Sequence, residues 1–307
     1  MEVHSSVTVL LSSYNGEKYI EDQILSILAQ RLVRVRLVIR DDGSVDKTLM
    51  ILKRLAAKHQ AISVYFEDNI GYIKSFFYLL KNADIHSDFY AFSDQDDIWL
   101  PDKLCTAVSA LRRSQMAVPV MYCSRTEYVN TSLKHLSYSP VYNPSKVGFG
   151  NALVQNIATG CTIVINGEAR KLIANDLPEI CIVHDWWIYL VVSAFGLVIY
   201  DKDPYIKYRQ HAGNVIGASA SSVKNIIKRT RRFFGSLRNN RTSSQIAEFN
   251  RIFGSQLTSD QKYFIKQILN SNRGISGRLS LIFKFFYWRQ SLVDDILLRI
   301  VMLTGRF

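Results

Sequence analysis

The first hundred residues alternate between short apolar, β-branched runs and longer amphipathic stretches. Short apolar runs predict buried strands, and apolar residues at helical spacing predict helices that pack on them. We predict strands at residues 7–13, 35–40, 62–66 and 89–92. Helices are predicted at residues 17–30, from Ser44 or Asp46 to about residue 58, at 72–82, and at 102–112 with Pro101 in the first turn. This alternation is typical of β-α units that form a mainly parallel sheet.

The pattern loosens between residues 122 and 167, where proline and glycine divide the chain into loops and short strands. Helical spacing returns at residues 185–194, and residues 197–200 and 205–208 are predicted to form short strands. An irregular region of this kind often provides the loops that bind a substrate. We therefore expect it to shape part of a substrate-binding site.

The C-terminal third combines basic and apolar residues in a different pattern. Residues 223–237 place apolar side chains on one helical face with lysine and arginine around them, which predicts a basic amphipathic helix. Residues 279–288 and 296–303 are strongly apolar, but Lys284 and Arg299 interrupt them and both are shorter than the roughly 20 residues that span a bilayer. We expect attachment to a membrane surface. The alternative is that these helices pack on the core domain or on a second subunit in a homodimer.

The net charge of +12 is concentrated at the C-terminal end. Residues 1–201 carry 19 Lys/Arg and 21 Asp/Glu, whereas residues 202–307 carry 19 and 5. A basic tail on a nearly neutral body indicates attraction to anionic lipid or to a phosphorylated partner, with nucleic acid as an alternative.

The N-terminus and the cysteines bear on the compartment. The apolar run at residues 7–11 is short and has no basic stretch before it, so no signal peptide is predicted and the catalytic part is expected in the cytosol. No C-x-x-C pair is present, which argues against a zinc site or a disulfide framework. We interpret all four cysteines as reduced thiols.

The densest chemical signal is the run Ser93-Asp94-Gln95-Asp96-Asp97-Ile98-Trp99, which directly follows a predicted strand. Three carboxylates within four positions repel one another unless a cation neutralises them. Hard oxygen ligands suit Mg²⁺ or Mn²⁺. A solvated acidic turn is the alternative, but the ends of strands in an α/β sheet are where ligands usually bind.

Two further polar segments end predicted strands in the same way. Asp41-Asp42-Gly43-Ser44 follows the second strand, and its carboxylates are able to accept hydrogen bonds from a base or a ribose. Ser12-Ser13-Tyr14-Asn15-Gly16 follows the first strand. Because the carboxyl ends of parallel strands meet at one edge, we expect the three segments to form one polar site.

Linked in this order, the motifs resemble the family 2 glycosyltransferases. They read S-x-Y-N-G-E-x-Y-I-x-x-Q-I-x-S-I-x-x-Q, then R-D-D-G-S-x-D-x-T, then F-S-D-Q-D-D-I-W-x-P-D-K-L. Within the family they are most similar to the bacterial rhamnosyltransferases that build O-antigen and related surface polysaccharides. The resemblance covers roughly residues 7–215 and implies a Rossmann-like GT-A catalytic domain, which we place at residues 1–217. The charge and the amphipathic pattern predict that residues 218–307 form a basic helical extension.

The resemblance also implies roles for the donor side of the site. Asp42 would contact the donor base, with Asp41 beside it. Asp94 and Asp96 would form the D-x-D element, with Asp96 as the direct ligand of the metal and Asp97 holding the site or a sugar hydroxyl. The remaining donor-binding residues on this reading are Ser13, Tyr14 and Gln95.

A general base is also required, because a sugar hydroxyl must lose its proton as the new bond forms. His184-Asp185-Trp186-Trp187 resembles the family's E-D-[WY] element, which makes Asp185 the candidate base. His184 stands where the family usually has Glu and is a candidate for assisting it. Trp186 and Trp187 are interpreted either as a platform for the sugar or as core residues.

Two later segments complete the predicted site. Thr159 and Gly160 begin a T-G-x-x segment that lines the sugar and acceptor in relatives. Arg209 and His211 belong to a Y-R-Q-H element. Arg209 could compensate the leaving diphosphate, and His211 could complete the metal shell.

The resemblance implies an inverting transferase that uses a nucleotide-diphosphate sugar and a lipid-linked saccharide acceptor, and no second positioned nucleophile is visible in the sequence. The resemblance favours dTDP-L-rhamnose as donor, with a UDP-hexose as the alternative. A nucleotidyltransferase would also use an acidic metal cluster and is the rival enzyme class. P-loop and dinucleotide-binding fingerprints are absent from the sequence, and no nucleic-acid-binding motif accompanies the basic tail, so no nucleic acid partner is expected.

Overall fold

The computed structural model describes residues 5–211, 241–271, 274–305 and 307. Its strands are β1 Ser5–Ser13, β2 Val33–Asp41, β3 Ile62–Phe66, β4 Phe89–Ser93, β5 Ile98–Trp99, β6 Val120–Val129, β7 His135–Tyr138, β8 Val164–Asn166 and β9 Leu197–Arg209. Its helices are α1 Ile20–Leu28, α2 Thr48–Lys58, α3 Tyr72–Asn82, α4 Lys103–Arg112, α5 Phe149–Ala152, α6 Gly167–Asn175, α7 His184–Phe195, α8 Arg241–Phe253, α9 Ser259–Ser271, α10 Ile275–Ile282 and α11 Leu292–Leu303.

The described residues divide into two compact units. The first contains residues 5–141, 158–175 and 196–211, and the second contains residues 142–157, 176–195 and the part described after residue 240. This division differs from the boundary expected after residue 217, because two earlier segments group with the C-terminal helices. The basic helix predicted at residues 223–237 lies outside the described residues.

One nine-stranded sheet organises the first unit. Its strand order is β3-β2-β1-β4-β8-β6-β9-β5, and β7 pairs with β6. The four strands predicted in the first half pair in parallel, whereas β8 pairs antiparallel with both β4 and β6. The β-α alternation therefore predicted these four strands and their parallel pairing correctly, and the structure adds the order β3-β2-β1-β4.

Apolar side chains between the sheet and its helices form the core of this unit. Helix α1 buries Ile20, Ile24 and Ile27 completely, at the spacing of a helix face. Burial of such side chains contributes roughly 2 kcal/mol each relative to exposure. They pack with buried strand residues such as Val9 and Leu37, so the loops at the strand ends project from a rigid base.

The structure differs from the prediction in the irregular middle region. Residues 197–209 form one long strand instead of two short ones, and β6 is a ten-residue strand parallel to it. The register of this pair shifts near Arg125, which lies opposite Pro204. Proline has no amide donor and is tolerated in a sheet at such an irregularity, which explains why the local sequence appeared to break the strand.

The second unit is helical. Trp187 of α7 is fully buried and packs against Phe249 and Phe253 of α8, with ring centroids 6.1 and 6.4 Å away. In the part of the chain that the structure describes, no helix is both long enough and apolar enough to cross a bilayer.

Candidate active site

Parallel pairing aligns the strand ends that carry the predicted site. Ser13 of β1 is paired with Asp41 of β2, and Leu11 of β1 is paired with Ser93 of β4. The three polar segments therefore leave the sheet at the same edge, as expected from the sequence.

The Asp41 side chain lies at the base of this edge. It is fully buried, and its carboxylate accepts hydrogen bonds from the Ser13 hydroxyl at 2.9 Å and the Ser44 hydroxyl at 2.6 Å. The Ser44 amide donates to its other oxygen at 2.9 Å. Asp41 thus orders the D-D-G-S turn, in which Gly43 adopts a φ of 80° that favours glycine.

Asp42 is equally enclosed by protein groups. It forms a buried ion pair with Arg40, and the amides of Ile70 and Gly71 each donate to its carboxylate at 2.9 Å. Arg40 also donates to the carbonyl of Asp68 at 2.8 Å. Asp42 was predicted to contact the base of the donor nucleotide. In this structure its carboxylate connects the turn at residues 68–71 to the end of β2.

The Gln95 side chain connects the acidic loop that follows β4 to the polar segment at residues 12–16. Its amide accepts from the Tyr14 backbone N–H at 2.8 Å and donates to the Tyr14 carbonyl at 3.0 Å. A side chain at Gly16 would lie only 2.4 Å from the Gln95 amide oxygen, so it would displace the Gln95 amide from Tyr14. The side chain of Tyr14 remains 47% exposed and available to a ligand.

The Y-R-Q-H segment contacts the acidic loop directly. Nε2 of His211 lies 2.7 Å from an Asp96 carboxylate oxygen. The Arg209 amide donates to Asp97 Oδ1 at 3.1 Å, and its guanidinium donates to the Asp96 carbonyl at 2.8 Å. The structure thus brings together five of the predicted residues, because Asp94 lies in the same loop as Asp96 and Asp97.

Arg209 is buried, although its predicted role is to compensate the charge of the leaving diphosphate. It is 3% exposed, and it also donates to the carbonyl of Thr131 at 2.7 Å. Its guanidinium lies 4.5 Å from the ring centroid of Tyr19, which in turn stacks on His211 at 5.2 Å. Arg209 therefore supports the acidic loop in this structure. Tyr19, which sequence reasoning missed, belongs to the quoted Y-N-G-E-x-Y-I motif.

The carboxylates form a cluster suited to a cation. Asp94, Asp97 and Cys161 each place one ligand atom within 4.8 Å of the others. Asp97 is fully buried, and its Oδ2 has no hydrogen-bond partner among the described residues. Burial, and then the charges of Asp96 and Asp94, hold the pKa of Asp97 well above its usual range.

This cluster differs from the ligand set predicted from the sequence. The described geometry groups Asp94 with Asp97, whereas Asp96 and His211 pair with each other. Burial raises the pKa of the Cys161 thiol, so it is a protonated sulfur and a poor ligand for a hard ion. The concentrated carboxylates fit Mg²⁺ or Mn²⁺, because a cation relieves the repulsion that raises the pKa of Asp97.

Lys103 was not predicted as part of this region. It is 1% exposed, its ammonium lies 3.5 Å from the ring centroid of Trp99, and it has no hydrogen-bond partner within the described ranges. Burial lowers the pKa of Lys103 to about 7, and electrostatic interactions with Cys161 and Asp97 oppose this shift. The only sequence signal was its place in P-D-K-L.

The T-G-x-x segment lies beside the acidic loop in the first unit. Thr159 precedes a short 3-10 turn, Gly160–Thr162, which it closes by accepting from the Thr162 amide at 2.8 Å. This turn carries Cys161 to the carboxylates. Thr159 and Gly160 are thus placed near the predicted metal-binding residues.

The candidate base lies in the second unit. Asp185 occupies the first turn of α7 and is 8% exposed. Its Oδ1 accepts from the Trp186 amide at 2.7 Å and from the Asn156 side-chain amide at 3.0 Å. Asn156 was not singled out from the sequence, because an isolated asparagine in a loop carries no recognisable pattern.

The residues around Asp185 separate into core and partly exposed positions. Burial lowers the pKa of His184 to about 3, so its ring is neutral at physiological pH and does not act as an acid there. The interpretation of Trp187 as a sugar platform is wrong, because it is fully buried among phenylalanines. Trp186 is half-buried and donates through its indole nitrogen to the Ala152 carbonyl at 2.7 Å.

A mixed sheet flanked by helices, with an acidic loop at the carboxyl end of β4, is the architecture of the GT-A sugar transferases. Residues 8–167, more than half of the chain, match the Glycosyl transferase family 2 model, and the chain belongs to this family. The resemblance predicted from the motifs is confirmed.

Individual proteins support the same family and fold. The chain is 28% identical to the dTDP-rhamnosyl transferase RfbG of Shigella flexneri, over 97% of this chain and 100% of that protein. The TarS protein of S. aureus in complex with UDP-GlcNAc has a TM-score of 0.54 at 18% identity, covering 90% of this chain and 80% of that one. The mannosyltransferase PcManGT from Pyrobaculum calidifontis, in complex with GDP-Man and Mn²⁺, has a TM-score of 0.51 at 16% identity, covering 99% and 88%. The last two likenesses concern the GT-A fold.

Proposed function

We propose that this glycosyltransferase moves L-rhamnose from dTDP-L-rhamnose onto a lipid-linked saccharide during the synthesis of O-antigen or a related surface polysaccharide. The observation that carries this proposal is the similarity to a dTDP-rhamnosyl transferase along nearly the whole of both chains. A UDP-hexose donor is the alternative. The TarS complex with UDP-GlcNAc supports it only through a shared fold.

The acidic loop is proposed to bind the diphosphate end of the donor. Asp94 and Asp96, with His211, would hold Mg²⁺ or Mn²⁺, and the bound ion would stabilise the negative charge of the departing diphosphate. Arg209 keeps the loop in place through its bonds to the backbone of Asp96 and the side chain of Asp97. The exposed ring of Tyr14 is proposed to contact the nucleotide.

Asp185 is proposed to remove the proton from the acceptor hydroxyl. As the acceptor oxygen bonds to the anomeric carbon, the bond from that carbon to the diphosphate breaks, and the proton passes to the carboxylate. A single displacement of this kind inverts the configuration at the anomeric carbon. The position of Asp185 at the start of α7, with its Oδ1 held by two donors, supports the assignment.

Attachment to the inner face of the cell membrane is proposed for the C-terminal helices. An apolar surface on α10, α11 and the segment between them contains Ile275, Leu279, Phe283, Phe285, Leu292, Val293, Ile296, Ile300 and Leu303, each at least 36% exposed. Lys284 lies between two of its aromatic residues. Aromatic and basic residues in alternation are typical of segments that bind anionic lipid surfaces. A second copy of the chain is the alternative occupant.

A donor panel tests the proposed reaction. The purified protein, supplied with Mn²⁺, would be incubated separately with dTDP-L-rhamnose, UDP-glucose, UDP-GlcNAc and GDP-mannose, and released nucleotides would be separated by chromatography. We expect dTDP to be released from dTDP-L-rhamnose, with little hydrolysis of the other donors. Release of UDP alone would favour the hexose alternative, and formation of pyrophosphate from a nucleoside triphosphate and a sugar phosphate would contradict sugar transfer.

A further inference from the structure

The segment at residues 148–156 contacts α7 through a series of polar contacts within the second unit. The Tyr189 hydroxyl donates to Asn151 Oδ1 at 2.9 Å, and the Trp186 indole donates to the Ala152 carbonyl at 2.7 Å. The third contact is the Asn156 amide, which donates to Asp185 at 3.0 Å. Because the first two hold the segment on the helix, the third is not needed to keep it there.

The Asn156 contact acts on one oxygen of the candidate base. Asp185 Oδ1 accepts both this bond and the bond from the Trp186 amide. Two donors on one oxygen restrict the rotation of the carboxylate, and they stabilise its charged form. The Trp186 amide belongs to the same helix as Asp185, whereas Asn156 lies on another segment, so the Asn156 bond ties the direction of the carboxylate to that segment.

Among the described residues, the titratable groups around Asp185 and Cys181 include His184 and Glu248. Cys181 lies in the preceding loop, and burial, followed by the charges of Asp185 and Glu248, raises its pKa to about 12. His184 is a buried neutral imidazole. Glu248 of α8 accepts from the Glu179 amide at 2.7 Å and carries a negative charge. Glu248 is in turn paired with Arg251, whose guanidinium lies 2.8 Å from its carboxylate.

We propose that Asn156 is a positioning residue for Asp185, orienting its carboxylate towards the acceptor hydroxyl and favouring its ionised form. This inference depends on the proposed role of Asp185 as general base. It assigns a function to a residue in the irregular region that the sequence motifs do not cover.

The test compares Asn156→Ala and Asn156→Asp with the unaltered full-length protein. We expect kcat to fall roughly 10- to 100-fold in Asn156→Ala, in line with the loss of a hydrogen bond to a charged group, while the KM for the nucleotide sugar stays unchanged. In Asn156→Ala, the acidic limb of the kcat/KM pH profile is expected to move to higher pH. In Asn156→Asp it should move further, because a second carboxylate opposes the ionisation of Asp185.

Folding and the base assignment are checked separately. Unchanged binding of the nucleotide sugar would show that each variant is folded, and Tyr138→Ala, at an exposed position of β7 in the first unit, serves as a matched surface control. A pH profile in Asn156→Ala that matches the unaltered protein, with Asp185→Asn inactive, would overturn the positioning role alone. Normal turnover in Asp185→Asn would instead overturn the base assignment.

Discussion

Nε2 of His211 lies 2.7 Å from Oδ2 of Asp96, so the last strand of the sheet brings an imidazole to the acidic loop. We expect His211→Ala to weaken Mn²⁺ binding roughly 10- to 100-fold, because a ligand or its hydrogen-bond partner is lost. Titration of Mn²⁺ by calorimetry measures this. His135→Ala removes an exposed histidine that is likewise paired with a carboxylate, Glu127, and should leave Mn²⁺ affinity unchanged; equal losses in both variants would contradict the assignment.

The roles proposed for Asp96 and Asp185 can be distinguished, because one concerns donor binding and the other the chemical step. Asp96→Ala should abolish the stimulation of donor binding by metal, since it removes a ligand. Asp185→Asn should bind donor normally and lose about 10²- to 10⁴-fold in kcat, because proton removal is lost. Fluorescence titration of the nucleotide sugar and steady-state turnover measure these effects, and normal turnover in Asp185→Asn would refute the base assignment.

The Arg40–Asp42 ion pair is predicted to be important for stability. Both side chains are 3% exposed, so Arg40→Met would leave a buried carboxylate without its cation and should cost about 3–5 kcal/mol of unfolding free energy. Urea denaturation followed by circular dichroism measures the loss. Arg31→Met is the control, because Arg31 is 67% exposed and lies 3.9 Å from Asp102; its effect should be close to zero.

Acid stability should depend on His184. Its pKa is about 3 in the folded protein, below the value near 6.5 of an unfolded chain. The unfolded state therefore binds more protons than the folded state between these two pH values. The contribution of His184 to the free energy of unfolding is fully present above pH 6.5 and falls by up to about 1.4 kcal/mol per pH unit below it. His184→Gln should remove this component from urea denaturation series at pH 7 and pH 4.5. The exposed His86 provides a control, since His86→Gln should retain the unaltered dependence.

The apolar surface on α10 and α11 predicts binding to lipid vesicles. Phe283 and Phe285 are 72% and 87% exposed, so replacing both with Ser should reduce sedimentation with phosphatidylglycerol vesicles several-fold, since apolar area would no longer enter the interface. Val45→Ser changes an exposed apolar residue in the first unit and should have no effect. Unchanged sedimentation, combined with a shift from dimer to monomer in light scattering, would favour a second copy of the chain as the occupant.

Much of the first unit was predictable because its signals are local. Apolar periodicity placed the strands and helices of residues 5–112 within a few residues, and Ile62–Phe66 and Tyr72–Asn82 agree with the predicted bounds. The middle region was predicted less well. Strand β9 gains its continuity from pairing with β6, a contact between distant segments that local propensity does not contain.

The sequence by itself determined the family and identified the acidic, D-D-G-S and H-D-W-W segments. These are short motifs whose order and spacing can be recognised without knowledge of the tertiary structure. Only the tertiary structure decided what each side chain does within them. Trp187 is buried in the core, and the Asp42 carboxylate forms an ion pair with Arg40. Arg209 is buried and donates to the backbone of the acidic loop. Burial and hydrogen bonding depend on residues far apart in the chain, as do the contacts of Asn156 with Asp185 and of His211 with Asp96.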